Sequence, residues 1–304
     1  MFKISPIEAV LWTLRRNEKD VINLYNSLSS IMQVTTGATM LNFGYWQGDT
    51  YSPVEAQYNL CTLIGKTAEL GSSKSLIDIG SGYGAPALIW SMENKLSDVI
   101  CVNINFQQLQ SSKSSKMAFN KIRIKNSQVL LVSPQPSQIS NINSTSISLP
   151  IANNTVDRII ALESAQHFKP FDRFMTESYR ILQHKGLLII AMPVTVYLNN
   201  YFKKIFSLGI LNLTWSSEHY TFEYIKSATR TNGFSLREII TIGKEVYKPL
   251  TLYYIQNRKE LREKILAHYP SYIEKILYRS LMKMMTVSEK GLIDYIVIKA
   301  QKLS

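Results

Sequence analysis

Asp78 stands two residues before Gly80, and Gly80, Gly82 and Gly84 alternate through Ser-Leu-Ile-Asp-Ile-Gly-Ser-Gly-Tyr-Gly, residues 75–84. Leu76, Ile77 and Ile79 read as a buried strand, and glycines without a Cβ let the backbone turn tightly and approach a ligand. A strand that ends in such a turn just before a helix can seat a nucleoside cofactor. Gly80, Gly82 and Ala85 also satisfy the looser G-x-G-x-x-G/A rule of nicotinamide enzymes, so the glycines alone leave the ligand open. Asp78 discriminates, because a carboxylate attracts a cationic amine and repels a pyrophosphate.

Two further groups belong to the same chemistry. Asn103 closes a second apolar run in Val102-Asn103-Ile104-Asn105-Phe106-Gln107-Gln108, where a residue lies beside the glycine turn and within reach of a ribose. An acid usually occupies that place; asparagine accepts one hydroxyl bond and donates another. Ala161-Leu162-Glu163-Ser164-Ala165-Gln166-His167-Phe168 falls at the carboxyl end of a fourth strand, the edge at which open α/β sheets bind ligands. An imidazole there is suited to take a hydroxyl or amine proton, and Glu163 to contact a cofactor or orient a substrate; packing is the competing use of His167.

These groups need a scaffold that brings strand ends together. From residue 76 onward short apolar runs alternate with amphipathic stretches, the pattern of a parallel sheet flanked by helices. Strands are expected at 75–79, 98–103, within 128–143, at 156–162, 187–192, 236–242 and 293–299. Helices are expected at 7–34 and 53–70 before this α/β core, and at 196–211 and 256–285 outside it. Residues 133–148, rich in Ser, Asn, Gln and Pro, read as an irregular surface excursion. In 272–285, Ile273, Ile276, Leu277, Leu281 and Met284 share one helical face, and Lys275, Arg279 and Lys283 repeat every four residues on another.

At 304 residues the chain can bury its core without staples, and Cys61 and Cys101 suggest neither a disulfide framework nor a zinc site; no metal is expected. The first residues lack a signal-like apolar core and no run of about 18 apolar residues occurs, so a cytoplasmic protein is expected. The net charge of +12 is uneven: residues 195–304 carry 17 basic and 9 acidic groups, or +8. That excess suits solubility, or an anionic substrate, nucleic acid or membrane surface.

Residues 75–84 resemble motif I of the class I S-adenosylmethionine-dependent methyltransferases. Asn103–Gln108 is similar to the Asn-Ile-Ser-x-x-Gln turn of small-molecule methyltransferases and cyclopropane fatty acid synthases, and Leu149–Asp157 to the family's Leu-Pro-Phe-x-x-x-x-Phe-Asp strand entry. Glu163–Phe168 resembles the Glu-Ser/Ala-x-x-His-Phe motif of natural-product O-methyltransferases and of sterol and tocopherol C-methyltransferases. Met40-Leu41-Asn42-Phe43-Gly44-Tyr45-Trp46 looks like the Gly-Tyr-Trp stretch that precedes the core in this subgroup. Arg180-Ile181-Leu182, Glu218–Thr221, Asn232-Gly233-Phe234 and Leu292–Lys299 extend the similarity to about residues 20–300. Asn103, Thr145 and His184 with Lys185 depart from the family pattern, which has acids at the first two places and Pro-Gly at the last pair.

The resemblance implies a Rossmann-like, seven-stranded, mostly parallel sheet with helices on both faces. It also implies an N-terminal helical cap (1–70), a cofactor-binding core (71–194), a lid insertion and helix (195–235), and the end of the sheet with inserted basic helices (236–304). S-adenosylmethionine is the implied cofactor and S-adenosylhomocysteine the product. The implied cofactor contacts are Tyr25, Tyr45, Trp46, Asp78, Gly80, Ser81, Gly82, Asn103, Ile104, Gln108, Thr145, Ser146 and Glu163, with His167 and Glu163 as the catalytic pair. Aromatic residues such as Tyr45 and Trp46 shield a sulfonium through their ring faces, although packing accounts for them equally. An aromatic lid with Tyr197, Leu198, Tyr201, Phe202, Ile205, Phe206 and Trp215 implies a bulky or lipophilic small-molecule acceptor, methylated at oxygen. The alternatives are lipid- or sterol-type C-methylation or N-methylation, then nucleic-acid methylation, then a non-catalytic cofactor-binding module. Asn/Asp-Pro-Pro-aromatic and Pro-Cys motifs of nucleic-acid enzymes are missing. A peripheral membrane contact through the basic C-terminal helices is a further expectation.

Overall fold

The apolar runs of the sequence become strands because each is long enough to be covered on both faces, and the polar stretches between them become helices or turns. The computed structural model describes residues 16–38, 40–94, 96–115, 122–124, 127–129, 138–196, 207–214 and 218–303. In order the elements are α1 (Glu18–Thr36), α2 (Pro53–Thr67), β1 (Ser75–Ile79), α3 (Ala85–Asn94), β2 (Asp98–Asn103), α4 (Phe106–Ser115), β3 (Ile122–Ile124), β4 (Ser127–Val129) and β5 (Gln138–Asn143). There follow β6 (Val156–Leu162), α5 (Phe171–Ile181), β7 (Leu182–Thr195), α6 (Leu211–Thr214), α7 (Phe222–Thr231), β8 (Phe234–Thr241), α8 (Gly243–Gln256), α9 (Arg258–Leu266), α10 (Ser271–Glu289) and β9 (Ile293–Lys302).

A seven-stranded sheet runs in the order β5-β2-β1-β6-β7-β9-β8, and β3 pairs with β4 antiparallel. β5, β2, β1, β6 and β7 pair in parallel. The register at the amino ends of β1 and β6 is clamped by Asp157, whose Oδ2 accepts from the Lys74 and Ser75 N–H groups at 2.8 and 3.1 Å, while Ser75 Oγ accepts from Asp157 N–H at 2.9 Å. The chain divides into two compact units: Asn59–Met192 with Lys226–Ile240 and Val297–Ser304, and Met1–Tyr58 with Pro193–Ile225 and Thr241–Ile296. The first is called the sheet unit below and the second the helical unit.

Several elements differ from expectation for local reasons. The first helix begins at Glu18, where Asn17 and Asp20 form a capping box, and residues 1–15 lie outside the described residues. β5 falls inside the window 128–143 where a strand was expected, within the polar stretch also read as irregular; as an end strand it has one neighbour to match and tolerates Ser140, Asn141 and Asn143. Around His184 and Lys185, which stand where the family pattern has Pro-Gly, the chain makes an excursion within β7, because Val156 pairs with Leu182 and Arg158 with Leu187, and Lys185 takes φ +64° where a glycine is customary. Lys302 supports this joint: its Nζ donates to the Tyr179 and Leu182 carbonyls and to Asn154 Oδ1 at 2.7, 2.8 and 2.7 Å. Residues 256–285, expected to be helical, hold α9 and most of α10, and a further helix, α8, precedes them from Gly243. Ile276, assigned from periodicity to the apolar face of α10, is exposed on its basic face instead. Most of the expected helix at 196–211, with Tyr197, Leu198, Tyr201, Phe202, Ile205 and Phe206, and also Trp215, lies outside the described residues.

Candidate functional site

The parallel pairing of β1 with β2 and β6 sets three strand ends side by side, with Ile79 opposite Val102 and Asp78 opposite Ile160. At the end of β1 the chain reverses. Gly80 takes φ +77° and its N–H donates to the Val102 carbonyl at 2.7 Å, as does that of Ser81 at 3.1 Å. The reversal is tight because Ser164, at the end of β6, donates from Oγ to the Ile79 carbonyl at 2.6 Å; a Cβ on Gly80 would fall 2.3 Å from Ser164 Cβ. Gly82, at φ +56°, has no atom within 4 Å of where its Cβ would be. One glycine is required by a neighbour, the next by the backbone alone, and the second opens onto space.

Asp78 is 2% exposed, and its Oδ2 has no hydrogen-bond partner among the described residues. Burial is the cause of a carboxyl pKa raised to about 7. Ser81 Oγ, next to the turn, is likewise buried without a partner. A cationic or hydroxyl-bearing ligand at the turn would satisfy both, so the residues present fit an amino-acid-bearing nucleoside better than they fit an empty apolar core.

Beside the turn, Asn103 is buried and donates from Nδ2 to the Gly82 carbonyl at 3.2 Å and to Gln108 Oε1 at 2.9 Å. The two amides expected to contact the cofactor separately thus form one linked pair. Asn105 caps α4, its Oδ1 accepting from the Gln107 and Gln108 N–H groups at 3.1 and 3.2 Å. Asn143 Nδ2 binds the Asn103 and Ile104 carbonyls at 2.8 and 2.9 Å, so Ile104 is held through its backbone. Thr145 and Ser146 follow β5 in a half-buried turn in which Ser144 Oγ donates to the Ser148 carbonyl at 2.8 Å. Asn105 and Asn143 went unassigned in the sequence reading; an asparagine directly before an amphipathic stretch was the available signal for the first.

Glu163 takes φ +48°, a left-handed conformation unfavourable for a side chain and characteristic of functional turns. Its N–H donates to Ala191 O at 2.8 Å and its carbonyl accepts from Gln166 Nε2 at 2.7 Å. His167 ends the one-turn helix Ala165–His167, half-buried, with its Nε2 3.5 Å from Gln166 Nε2. Asp78, Gly80, Ser81, Gly82, Asn103, Gln108, Glu163 and His167 all belong to the sheet unit. Among the described residues no group of three or more His, Cys, Asp and Glu side chains is placed to hold a metal ion.

Tyr25, Tyr45 and Trp46 belong to the helical unit. Tyr25 is half-buried on α1. Gly44 takes φ +83° with its N–H on Asn42 Oδ1 at 3.1 Å, and Gln57 Nε2 donates to the Met40 and Asn42 carbonyls at 3.2 and 2.7 Å. Tyr45 N–H donates to the Ala56 carbonyl at 2.7 Å. Trp46 N–H donates at 2.8 Å to the carbonyl of Glu245, four residues before Pro249 inside α8. Because proline has no N–H to occupy that carbonyl, the helix offers an acceptor to a strand-like segment it would otherwise exclude. The Trp46 ring is buried, 5.6 Å from Tyr253 between centroids, and its Nε1 has no partner among the described residues.

Residues 77–190 match the family described as a methyltransferase domain. Erythromycin 3''-O-methyltransferase of Saccharopolyspora erythraea is 24% identical over 181 residues, 60% of this chain and 55% of that protein. The chain spans about half the length of the curated relatives it matches. Among solved structures, the cyclopropane synthase MmaA2 from Mycobacterium tuberculosis superposes with a TM-score of 0.76 at 15% identity, covering 94% of this chain and 98% of that one. The [4+2]-cyclase SpnF gives 0.71 at 16%, covering 94% and 96%. At these identities the two structures speak for the fold alone. The matched stretch contains the glycine turn, Asn103, Glu163 and His167, so residues 77–190 carry a methyltransferase domain similar to those that use S-adenosylmethionine.

Proposed function

We propose that this protein transfers a methyl group from S-adenosylmethionine to the oxygen of a small, bulky or lipophilic organic acceptor. The observation that carries the cofactor part is Asp78: a buried carboxylate with one unpartnered oxygen, two residues before the Gly80–Gly84 turn. When bound, S-adenosylmethionine supplies a methyl carbon on a positively charged sulfur whose departure leaves a neutral thioether. The protein's share is therefore to bind, to align and to move one proton.

In this reading Asp78 holds the cationic amine end, Ser81 and the backbone of Gly80 and Gly82 line the turn, and the Asn103–Gln108 pair faces the ribose. Ile104, Thr145 and Ser146 flank the adenine. Glu163 is held by its turn to orient cofactor or acceptor, and His167 takes the acceptor's hydroxyl proton. Oxygen as the acceptor atom draws on the printed activity of the Saccharopolyspora relative and on the Glu163–Phe168 motif. A lipophilic acceptor draws on the aromatic residues of 197–215.

Calorimetry with S-adenosylhomocysteine tests the cofactor site: saturable binding is expected, and no heat at millimolar ligand would overturn the proposal. His167→Ala tests the base. It is expected to lower kcat by about a hundredfold or more with S-adenosylhomocysteine affinity unchanged; undiminished turnover removes His167 from that role.

A further inference from the structure

α10 turns two unlike faces outward and inward. Glu274, Leu281, Met284 and Val287 are buried. At about 100° per residue, Tyr272, Lys275, Ile276, Arg279 and Lys283 fall within about 100° of arc on another face. Tyr272 is 44% and Ile276 41% exposed, between cations that are themselves exposed at Lys275 and Arg279. α8, which packs against α10 in the same unit, adds Leu252 and Ile255 at 40% and 38%. These are four of the seven large apolar side chains exposed among the described residues.

The cations around them divide into two groups. Lys248 pairs with Glu289, Lys264 with Glu260 and Arg258 with Glu274. Lys275 and Arg279 have no acidic partner among the described residues, and they are the two that alternate with Tyr272 and Ile276. A merely solvated face needs no large apolar groups between its charges, and a face built for an apolar protein groove would not set a cation at every turn. Interleaving suits a layered partner, with phosphates at one depth and acyl chains just below, because lysine and arginine stems reach the first while Tyr and Ile reach the second. The basic excess of residues 195–304, 17 against 9, acts in the same direction.

We propose that the Tyr272–Lys275–Ile276–Arg279 face of α10, with Leu252 and Ile255 of α8, docks this protein on an anionic phospholipid bilayer. The helices lie along the surface; no helix among the described residues is long and apolar enough to cross it. Vesicle flotation of the full chain is the test. Binding is expected to vesicles with about 30% phosphatidylglycerol, at least about tenfold weaker to phosphatidylcholine alone, and reversed by about 0.5 M salt. Lys275→Glu with Arg279→Glu should lower partitioning about tenfold or more. Tyr272→Ser with Ile276→Ser should lower it while preserving salt sensitivity; both pairs are exposed, and circular dichroism verifies that each variant folds. The proposal is overturned by absent binding, by equal binding to neutral vesicles, or by both variants partitioning like the parent. It is also overturned if the apolar variant instead converts a dimer to a monomer, which would give the face to a second copy of the chain. The readout involves neither cofactor nor acceptor, so its failure leaves the catalytic reading standing.

Discussion

Asp78 in the sheet unit and Glu274 in the helical unit are withdrawn from water to the same degree, 2% and 1% exposed, yet their ionisation is displaced in opposite directions. Glu274 sits between helices that each bring it a donor. Arg258 Nε and the Tyr254 hydroxyl donate to its Oε1 at 2.9 and 3.2 Å, and Arg258, also 3.6 Å above the Tyr278 ring, reaches Oε2 at 3.4 Å. Burial pushes the Glu274 pKa up, but the hydrogen bond and charge of Arg258 outweigh it and the carboxyl ends below its ordinary range. Burial acts on Asp78 without such an opponent and leaves it near 7. A charge whose partners are built into the chain holds the fold together; one without such partners is the place where the proposed cofactor would add its own.

The largest expected effect comes from the support of the unpartnered carboxylate. Gly80→Ala would place a methyl against Ser164 at φ +77°, and a loss of about 3 kcal/mol or more in urea denaturation is expected. A denaturation midpoint equal to the parent's would mean that the turn yields and that its geometry is not fixed by β6. Glu274→Ala should cost about 2 kcal/mol, below the usual figure for a broken buried pair because Arg258 remains partly in water. This variant should leave S-adenosylhomocysteine affinity unchanged.

Asp78→Asn should do the reverse: affinity for S-adenosylhomocysteine falls about tenfold, while the free protein at neutral pH is as stable as the parent or more so, because an amide escapes the cost of ionising a buried carboxyl. The pH dependence sharpens the contrast. Native Asp78 keeps its proton up to about 7 while the unfolded chain releases it in the ordinary aspartate range, so its contribution weakens stability as pH rises through that interval and is flat above it. Glu274, held below its ordinary value, contributes stability that is lost as pH falls into and below the glutamate range. Denaturation midpoints between about pH 4 and pH 8 should therefore lose the downward trend in Asp78→Asn and keep it in Glu274→Gln. Loss of ligand affinity and of stability together in the Asp78 variant would erase the distinction between the two sites.

What could be read from the chain directly was what depends on neighbours in sequence. An apolar pentad, a carboxylate and alternating glycines specify strand, turn and helix over 75–94 whatever lies elsewhere. α9 and α10 lie where helices were expected, but α8 was not foreseen, because Pro249 argues against a helix interior until the structure shows a neighbour taking up the freed carbonyl. Ile276 fits the apolar spacing of α10 but is exposed, because the position of the neighbouring helices, and not the spacing, decides which side of a helix is covered.

The sequence by itself thus determined the alternating α/β order, the glycine turn and the residue types gathered at the strand ends. Only the tertiary structure decided that Asn103 and Gln108 act as a pair, that Pro249 frees a carbonyl for Trp46, and that one buried acid is neutralised by its surroundings while the other is not. The physical reason is range: backbone preferences act over a few residues, whereas burial and pairing are properties of groups brought together from distant parts of the chain.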